Sequence, residues 1–493
     1  MTREIYLLNP KTLSPEVIAV AFAKTSRSPD SFRDIAAELS DEKSAEFHEK
    51  LVVGYGHASV AEHAVLHVAF ENVSRLAIEC IESNRLASYT EKSTRYQVFE
   101  RDGFYTPPGV AASKHAGLYR DTIHALFDAY FASLEPVQRV IRARYPRQEG
   151  ESEKKYEGRI RSKWIDNCRF LLPAATFANV GMTANARVME HAISKMLSHP
   201  LEEVRDIGAE VKRVAQAEVP TLLKYAGRSD YLAKIEDGSW ASAMGSEERV
   251  LGTGAAGGKS AQAGEDALQS LIPNPQPLTL LDYDRDAEVK FVAACLYRLG
   301  GSDFAEMLDR ARAMSVEQRA QVIGAALGGR SDFDVPLREL EHVTYTFDCV
   351  MDNGAYFDVK RHRMMTQSPQ ALSVDLGYAI PRAIEEAGFK ATYCRALDRT
   401  IEAHRALARD FPHEASYLVA NAFNRRVLLT MNLRELFHFA RLRGGPTGHF
   451  AYRRIAIRAF EILREAHPAF APYMRCEKYP PSQQIEQEFF AQV

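Results

Sequence analysis

The densest cluster of chemically active residues in this sequence is Arg361-His362-Arg363, three adjacent side chains that can each carry positive charge. Guanidinium groups bind phosphate oxygens in a bidentate manner, and an imidazole suits a phosphate oxygen or a flat heterocycle. Such a triplet can also serve only to stabilise the negative end of a helix. Because no acidic residue follows it directly, we interpret the triplet as part of a site for a phosphorylated ligand.

A second cationic cluster lies further along the chain, where Arg441, Arg443 and His449 flank the pair Gly444-Gly445. Glycine has no Cβ atom, so it ends helices readily and lets the backbone approach another group closely. The sequence therefore predicts a helix that ends at this pair and a close approach of the backbone to a ligand.

These clusters belong to an internal repeat. Glu-His pairs at residues 62–63 and 341–342 each open a stretch of alternating apolar residues, which predicts a half-buried β-strand. A polar break and a segment of helical character follow in both copies, and these end at Arg85 and Arg363. The spacing from histidine to arginine differs by one residue between the copies, so a single insertion keeps the whole unit in register.

A further repeated motif, Asn-x-Arg-x-x-x-His, predicts a helix in each half. Arginine and histidine four residues apart share one helix face, so each helix presents a stripe of cationic and imidazole groups. A solvated helix face alone would explain one such stripe, but the recurrence in the same order favours a tandem duplication of one α+β unit. The motif residues are Asn185, Arg187, His191, Asn432, Arg434 and His438.

The boundary between the copies is marked by composition. The segment from Gly252 to Gly264 is rich in glycine and small residues, which predicts a flexible linker or exposed loop. It is not a phosphate-binding P-loop, because Thr253 occupies a position where that motif needs glycine. We therefore predict a first unit at residues 1–235, a flexible linker region at 236–280 and a second unit at 281–493.

The overall composition excludes several classes of protein. Of 493 residues, 26% are charged and 46% are hydrophobic, which excludes wholesale disorder. A formal net charge of -3 argues against a general nucleic-acid binder. Six scattered cysteines without a CxxC pair argue against a disulfide framework and a zinc site, and we predict no bound metal. No apolar stretch approaches membrane-spanning length, so we expect a cytoplasmic protein without membrane contact.

Taken in order, these motifs resemble the flavin-dependent (alternative) thymidylate synthase family, present twice in the chain. The second half has the family's RHR signature at residues 361–363. The first half has the surrounding framework, which runs from the Gly-His-Ala-Ser stretch at residues 56–59 to the Glu-Lys-Ser-Thr-Arg stretch at residues 91–95. The resemblance covers most of both halves outside the linker region.

The resemblance implies an α+β fold, with two tandem copies of a helix-rich unit that has a central antiparallel sheet. Family members are usually homotetramers with active sites between subunits, which implies a homodimer of this chain that forms a pseudo-tetramer. They bind FAD and dUMP and transfer a methylene group from methylenetetrahydrofolate, with NADPH as the reductant. The implied reaction is methylation of dUMP to dTMP, and the implied partners are nucleotides and folate.

The family's functional positions carry over to matching residues. Arg443 matches the arginine that favours ionisation of the uracil ring, and it is the predicted catalytic residue. The predicted cofactor-binding residues are Arg361, His362, Arg363, Asn432, Arg434, His438, His449, His57, Ser59, Arg85, Asn185, Arg187 and His191. The predicted substrate-binding residues are Glu91, Ser93, Arg95, Arg169 and Ser373.

Each half lacks part of this set. Arg361 aligns with Ser83, and Arg169, which precedes a Leu-Pro pair, aligns with Ser416. In the family, one dUMP site takes the RHR arginine and the pre-Leu-Pro arginine from one subunit, and the serine loop and activating arginine from another. Applied to this chain, that rule predicts that neither pairing of the halves completes a site.

Three functions remain open from the sequence. The first is an active flavoenzyme of the thymidylate synthase type. The second is a non-catalytic regulator that binds flavin or nucleotide on the same fold, and the third is a related flavoenzyme that acts on another pyrimidine.

Overall fold

The computed structural model describes residues 4–25, 28–39, 44, 47, 58–95, 99–238 and 277–493. The predicted linker lies almost entirely outside these residues, and so do His57 and the segment from Gly252 to Gly264. Helices and antiparallel strands make up the described part, which confirms the predicted α+β class. None of the helices described here is both long and apolar enough to span a membrane.

The first half has a three-stranded antiparallel sheet. Its strands are β1 (Val65–Ser74), β2 (Ala87–Glu91) and β3 (Phe177–Asn185), in the order β1-β3-β2. Short 3-10 helices span Ala58–His63 and Arg169–Leu171. Its α-helices are α1 (Pro15–Thr25), α2 (Phe32–Glu38), α3 (Arg75–Ile81), α4 (Pro108–Ala111), α5 (Ala116–Arg144), α6 (Glu153–Cys168), α7 (Ala186–Leu197), α8 (Glu202–Gln216) and α9 (Asp230–Glu236).

The second half repeats this plan with one added edge strand. Its four-stranded sheet has the order β4-β5-β8-β6, from β4 (Leu278–Tyr283), β5 (Thr344–Asp352), β6 (Thr366–Pro369) and β8 (Asn424–Asn432). A small separate pair joins β7 (Ile380–Pro381) to β9 (Phe490–Gln492). The 3-10 helices here span Arg338–His342 and Glu414–Leu418. The α-helices are α10 (Ala287–Leu299), α11 (Phe304–Ala313), α12 (Val316–Leu327), α13 (Asn353–Val359), α14 (Arg382–Glu386), α15 (Lys390–Leu407), α16 (Leu433–Gly444), α17 (Phe450–Ala466), α18 (Ala471–Met474) and α19 (Ser482–Phe489).

The strand predicted from alternation is present in the second half. Tyr345, Phe347, Cys349 and Met351 in β5 are all buried, as the period of two requires. The predicted polar break is a helix cap, because the Asp352 carboxylate accepts a hydrogen bond from the backbone N–H three residues on, at 2.8 Å.

The single insertion between the copies is a β-bulge. In β1 the pairing with β3 shifts register between Phe70 and Val73, and Asn72 lies there with φ at 54°. The equivalent strand β5 pairs with β8 without any shift. The bulge therefore accounts for the one-residue difference in spacing, and Asn tolerates the left-handed backbone that it requires.

The two halves face each other across a pseudo-twofold axis. One continuous hydrophobic core includes residues of both. Pro173 forms a β-bridge with Ala420, and each of these residues stands four positions before the start of its sheet strand, β3 or β8. Equivalent residues that contact each other are the mark of a twofold interface. The unit boundaries at residues 235 and 281 stay a prediction, although β4 already pairs with β5 from Leu278.

Candidate functional site

The RHR triplet lies in a turn directly after α13, at the junction of the two halves. Arg361 donates from Nη2 to Glu91 Oε2 of the first half at 2.6 Å. Arg75 donates to the other oxygen of that carboxylate at 3.0 Å. Burial tends to raise the pKa of Glu91, but Arg75, Lys360 and Arg361 outweigh it and lower the pKa, so this carboxylate is ionised.

Arg169 reaches the same place from the end of α6. Its Nη1 donates to the Thr94 hydroxyl at 3.0 Å, and its Nη2 lies 3.8 Å from Asp358 Oδ2. The Nη2 atom is buried and has no hydrogen-bond partner among the described residues. A buried guanidinium with an unused donor is costly unless a ligand satisfies it, so Arg169 has the features of an anion-binding side chain.

Arg95 joins the first-half loop to the second half. It holds Asp166 in a bidentate pair, with N–O distances of 2.8 and 2.6 Å, and it donates from Nη1 to the Thr447 carbonyl at 3.3 Å. The neighbouring Ser93 hydroxyl accepts from the Arg95 backbone N–H at 3.3 Å. The serine loop of the first half is thus fixed against the segment that follows α16.

Arg443 is positioned by a chain of two hydrogen bonds, of which the one between His362 and Glu435 is buried. Its Nε lies 2.8 Å from His362 Nε2, and His362 Nδ1 lies 2.7 Å from Glu435 Oε1. Because an arginine Nε always donates, His362 accepts at Nε2 and donates from Nδ1 to Glu435. Burial, opposed by the bond to Glu435, lowers the pKa of His362, which agrees with a neutral imidazole in this tautomer.

Asp358 is the common neighbour of three arginines. Its carboxylate lies 3.8 Å from Arg169, 3.9 Å from Arg361 and 3.5 Å from Arg443. We call these three arginines, together with Arg95, which pairs with Asp166 nearby, the arginine cluster. Sequence reasoning missed Asp358, although its spacing of three residues before Arg361 on a helical segment was a usable signal.

The cluster corrects one expectation from the sequence. Arg95 and Arg169 come from the first half, while Arg361 and Arg443 come from the second, and the structure brings all four together at one junction. The rule applied to the sequence assigned the pre-Leu-Pro arginine and the RHR arginine to the same unit. That assignment is wrong for this chain, and so is the conclusion that neither pairing of the halves completes the set.

Other predicted cofactor residues line a separate cavity of about 720 Å³ in the second half. Asn432 caps α16 by accepting from the Glu435 backbone N–H at 2.9 Å, and Arg434 donates to Glu341 at 2.7 Å. His438 is exposed, and its ring centroid lies 5.4 Å from that of His362. The cavity reaches Thr447, which also contacts the arginine cluster.

Around the glycine pair, the prediction that His449 binds the cofactor needs correction, while the approach of the backbone to a ligand stays a prediction. The helix does end there, and a Cβ on Gly444 would lie 2.6 Å from Ile457 Cδ1 of α17, so Gly444 allows the helices to pack closely, whereas Gly445 borders the cavity of about 720 Å³. His449 is buried, caps α17 and donates from Nε2 to the Asp166 carbonyl at 3.0 Å. Burial lowers the pKa of His449 well below its usual range, so it is a neutral structural residue in this arrangement.

The first-half counterparts lie outside the cluster. Asn185 caps α7, Arg187 pairs with Glu62, and Ser59 and His191 are exposed. The remaining predicted residues border a cavity at the opposite junction of the halves, and they are Arg85, Arg363 and Ser373.

Comparisons with known proteins agree with the duplicated architecture. The family model described as thymidylate synthase complementing protein matches two segments, residues 8–221 and 279–469. A UPF0159 protein of Chlamydia muridarum is 30% identical over 452 residues, covering 90% of this chain and 83% of its own length. The flavin-dependent thymidylate synthase of Clostridium tetani is 26% identical over 242 residues, covering 49% of this chain and 93% of its own length.

Solved structures are also similar, and among them is thymidylate synthase X of Helicobacter pylori, whose crystal structure holds FAD and dUMP. The likeness has a TM-score of 0.30 at 17% identity and covers 41% of this chain and 100% of that chain.

Proposed function

The chain belongs to the family described as thymidylate synthase complementing protein, and from this premise we propose that it methylates dUMP to dTMP at the arginine cluster. The observation that carries the proposal is the meeting of arginines from both halves around Asp358, with Arg169 Nη2 left unbonded. A phosphate group is the ligand that such guanidinium groups bind best.

The charges of the cluster fit a nucleotide. Four arginines face the carboxylates Asp166, Asp358 and Glu91, and Glu91 is shared with a fifth arginine, Arg75. Arginine therefore outnumbers acid in a partly buried site. We assign the phosphate of dUMP to Arg169 and the Ser93 loop, with Arg361 contacting the nucleotide from the second half.

Arg443 is the proposed catalytic residue. As the N3 proton of the pyrimidine leaves and carbon 5 becomes nucleophilic, a guanidinium beside the ring stabilises the developing charge. A fixed donor aimed at such charge commonly contributes about 2.7–4 kcal/mol. His362 holds the Arg443 guanidinium in one orientation, so little reorganisation is needed when the charge develops.

FAD fits beside the cluster. The residues that would hold it are Asn432, Arg434 and His438, which line the cavity of about 720 Å³, whereas Arg363 borders the cavity at the opposite junction. A volume of this size suits a large cofactor. When bound, FAD would supply the electrons, taken from NADPH, that convert a methylene group from methylenetetrahydrofolate into a methyl group.

Replacement of Arg443 by lysine tests the proposal. Lysine keeps the charge but loses the planar fork and the Nε–H that His362 accepts. We expect dUMP-dependent tritium release from carbon 5 to fall strongly while flavin content and melting temperature stay unchanged. Arg464→Lys, in the last turn of α17, is the matched control and should behave like the unmutated protein. Equal turnover in the two variants would contradict the role of Arg443.

A non-catalytic function is the second candidate. It is favoured by the opposite junction, where Ser83 and Asn84 occupy the places of Arg361 and His362. Flavin binding without any dUMP-dependent tritium release in the unmutated protein would support it, and release from a different pyrimidine nucleotide would instead support a change of substrate.

We also propose a homodimer that forms a pseudo-tetramer. The chain joins two units covalently, which raises their effective concentration without any new contact. Light scattering should give twice the mass of one chain, and a stable monomer with bound flavin would contradict this assembly.

A further inference from the structure

A cavity of about 590 Å³ lies at the junction opposite the arginine cluster. The first half contributes the turn after α3 and the end of α7, with Arg85 and Lys195. The second half contributes the turn after α13, with Lys360 and Arg363, and the loop at residues 369–373. The pseudo-twofold axis relates this position to the proposed catalytic site, but its side chains are different.

Three cations at this cavity form no ion pair in the described part of the chain. Within the described residues, no carboxylate oxygen lies within 4.0 Å of Arg85, Lys195 or Arg363. By contrast, Lys360 and Arg425, which line the same cavity, form ion pairs with Glu82 and Glu79. Arg85 donates only to the Met365 carbonyl and the Thr366 hydroxyl, at 3.3 and 3.1 Å. Arg85 and Arg363 therefore carry positive charge outside any ion pair of the described residues, while Lys195 is near enough to the exposed Glu236, which also lines the cavity, to interact with it electrostatically.

Two imidazoles add hydrogen-bonding groups to the same wall. Burial lowers the pKa of His199 and of His404 to about 4, so both rings are neutral at physiological pH. His199 accepts at Nδ1 from a backbone N–H at 3.1 Å, which leaves its Nε2–H as a donor. Apolar side chains such as Leu76 and Met365 complete the lining.

We infer that this cavity binds a small phosphorylated molecule of about the size of a nucleoside monophosphate, held by Arg85, Lys195 and Arg363. Its volume lies in the range of pockets that enclose small ligands, and five arginine and lysine side chains line it against three glutamates, Glu79, Glu82 and Glu236. It does not methylate that molecule, because Ser83 and the buried Met196 occupy the positions of Arg361 and Arg443.

The turn after α13 joins this cavity to the arginine cluster. Lys360 and Arg363 border the cavity, while Arg361, which lies between them, donates to Glu91 in the cluster. His362 touches the cavity and also accepts from Arg443. A ligand that orders this turn would alter turnover at the cluster, and this regulatory part of the inference rests on the proposed function.

Calorimetric titration of the full chain with dUMP, dTMP and inorganic phosphate tests the binding. The Arg169→Ala variant removes the proposed catalytic phosphate contact and should still bind one phosphorylated probe per chain. Adding Lys195→Ala and Arg85→Ala to it should weaken that binding at least about tenfold, and raising the ionic strength should weaken it as well. Lys195→Gln and Arg85→Gln replace the alanine variants if melting shows that those do not fold.

Two results would overturn the inference. One is that the folded Arg169→Ala chain binds none of the three probes. The other is that the residual binding is unchanged by the Lys195 and Arg85 substitutions. Both results come from binding measurements, which do not need turnover. A protein that lacks thymidylate synthase activity would therefore contradict the proposed function without affecting this test.

Discussion

The two junctions between the halves occupy equivalent positions, yet they carry different chemistry. At one junction, Glu91 at the end of β2 binds Arg361. The equivalent residue of the second half, at the corresponding position of β6, is Pro369. Arg169 serves the first junction, and Ser416 stands in its place at the second. In a homodimer every substitution alters both symmetric sites at once. Covalent duplication removes that constraint, so one site can keep its arginines while the other changes.

The two halves also differ at the pseudo-twofold axis between them. Glu82 and Lys360 are the C-caps of the equivalent helices α3 and α13, and they form an ion pair with each other at 2.9 Å. Their side chains are only 3% and 7% exposed, although the contact lacks good hydrogen-bond geometry. In a symmetric dimer identical residues would meet at this place. The pair therefore favours association of a first half with a second half over association of like halves.

The largest effect is expected from this ion pair. Lys360→Met leaves the Glu82 carboxylate buried without a partner, so we expect the free energy of unfolding to fall by about 3–5 kcal/mol. Denaturant titration measures the change. Exchanging the charges, Glu82→Lys with Lys360→Glu, should restore most of the loss.

An exposed pair supplies the control. Arg139 and Glu135 lie on the solvent face of α5, with side chains 67% and 81% exposed. Arg139→Met should cost at most about 1 kcal/mol. If Lys360→Met and Arg139→Met lower the free energy of unfolding by the same amount, the Glu82–Lys360 contact does not hold the halves together.

Next in size is the comparison of Arg169 with Ser416. Arg169→Ala should lower dUMP turnover by roughly a hundred- to a thousandfold, the scale on which a preorganised donor acts. Ser416→Ala, the equivalent change in the other half, should leave turnover unchanged. Steady-state tritium release at several dUMP concentrations measures both. Similar losses of turnover in the two variants would show that the junctions do not differ in the proposed way. If Arg169→Ala unfolds the protein, Arg169→Lys replaces it as the test of the site.

The helix caps before α3 and α13 differ in their response to pH. Ser74 caps the first and Asp352 the second, and the Asp352 Oδ2 atom is buried without a partner. Burial raises the pKa of Asp352 from 3.8 to about 6. The folded state thus holds this proton more tightly, so the stabilising contribution is complete below pH 4 and is lost as the pH rises through about 6.

Asp352→Ser makes the two caps alike and should remove this dependence. Relative to the variant, the unmutated chain should lose up to about 3 kcal/mol of unfolding free energy between pH 4 and pH 7. Urea titrations at both pH values measure the difference. A constant difference between the two proteins across this range would contradict a raised pKa at Asp352.

Much of the fold was predictable because it depends on local periodicity. The alternation in β5, the paired Asn caps of α7 and α16 and the single insertion at Asn72 are all sequence patterns with direct structural causes. The close packing at Gly444 was not predicted, because its neighbour Ile457 lies on the next helix, and no local pattern reveals a contact between helices.

The site was less predictable than the fold. The sequence names its arginines as candidates but does not predict their grouping, because the pairing of the halves is decided by contacts between distant segments such as Arg95 with Thr447. Asp358 was missed although its spacing of three residues before Arg361 was a usable local signal. His449 matched the expected residue type, yet burial between α6 and α17 gives it a structural place.

The smallest effect is expected at Glu435, a positioning residue that acts through His362. The first half has no such chain, since Lys195 donates directly to Asn84 at 3.3 Å. Glu435→Met removes the acceptor that keeps the proton on His362 Nδ1, so the ring can carry its proton on Nε2 and oppose the Arg443 N–H. We expect kcat to fall about tenfold with the KM for dUMP nearly unchanged, because the lost interaction acts in the transition state. Glu435→Gln keeps an acceptor and should retain most of the activity. An equal loss in both variants, or a change confined to KM, would mean that the buried carboxylate does not orient Arg443.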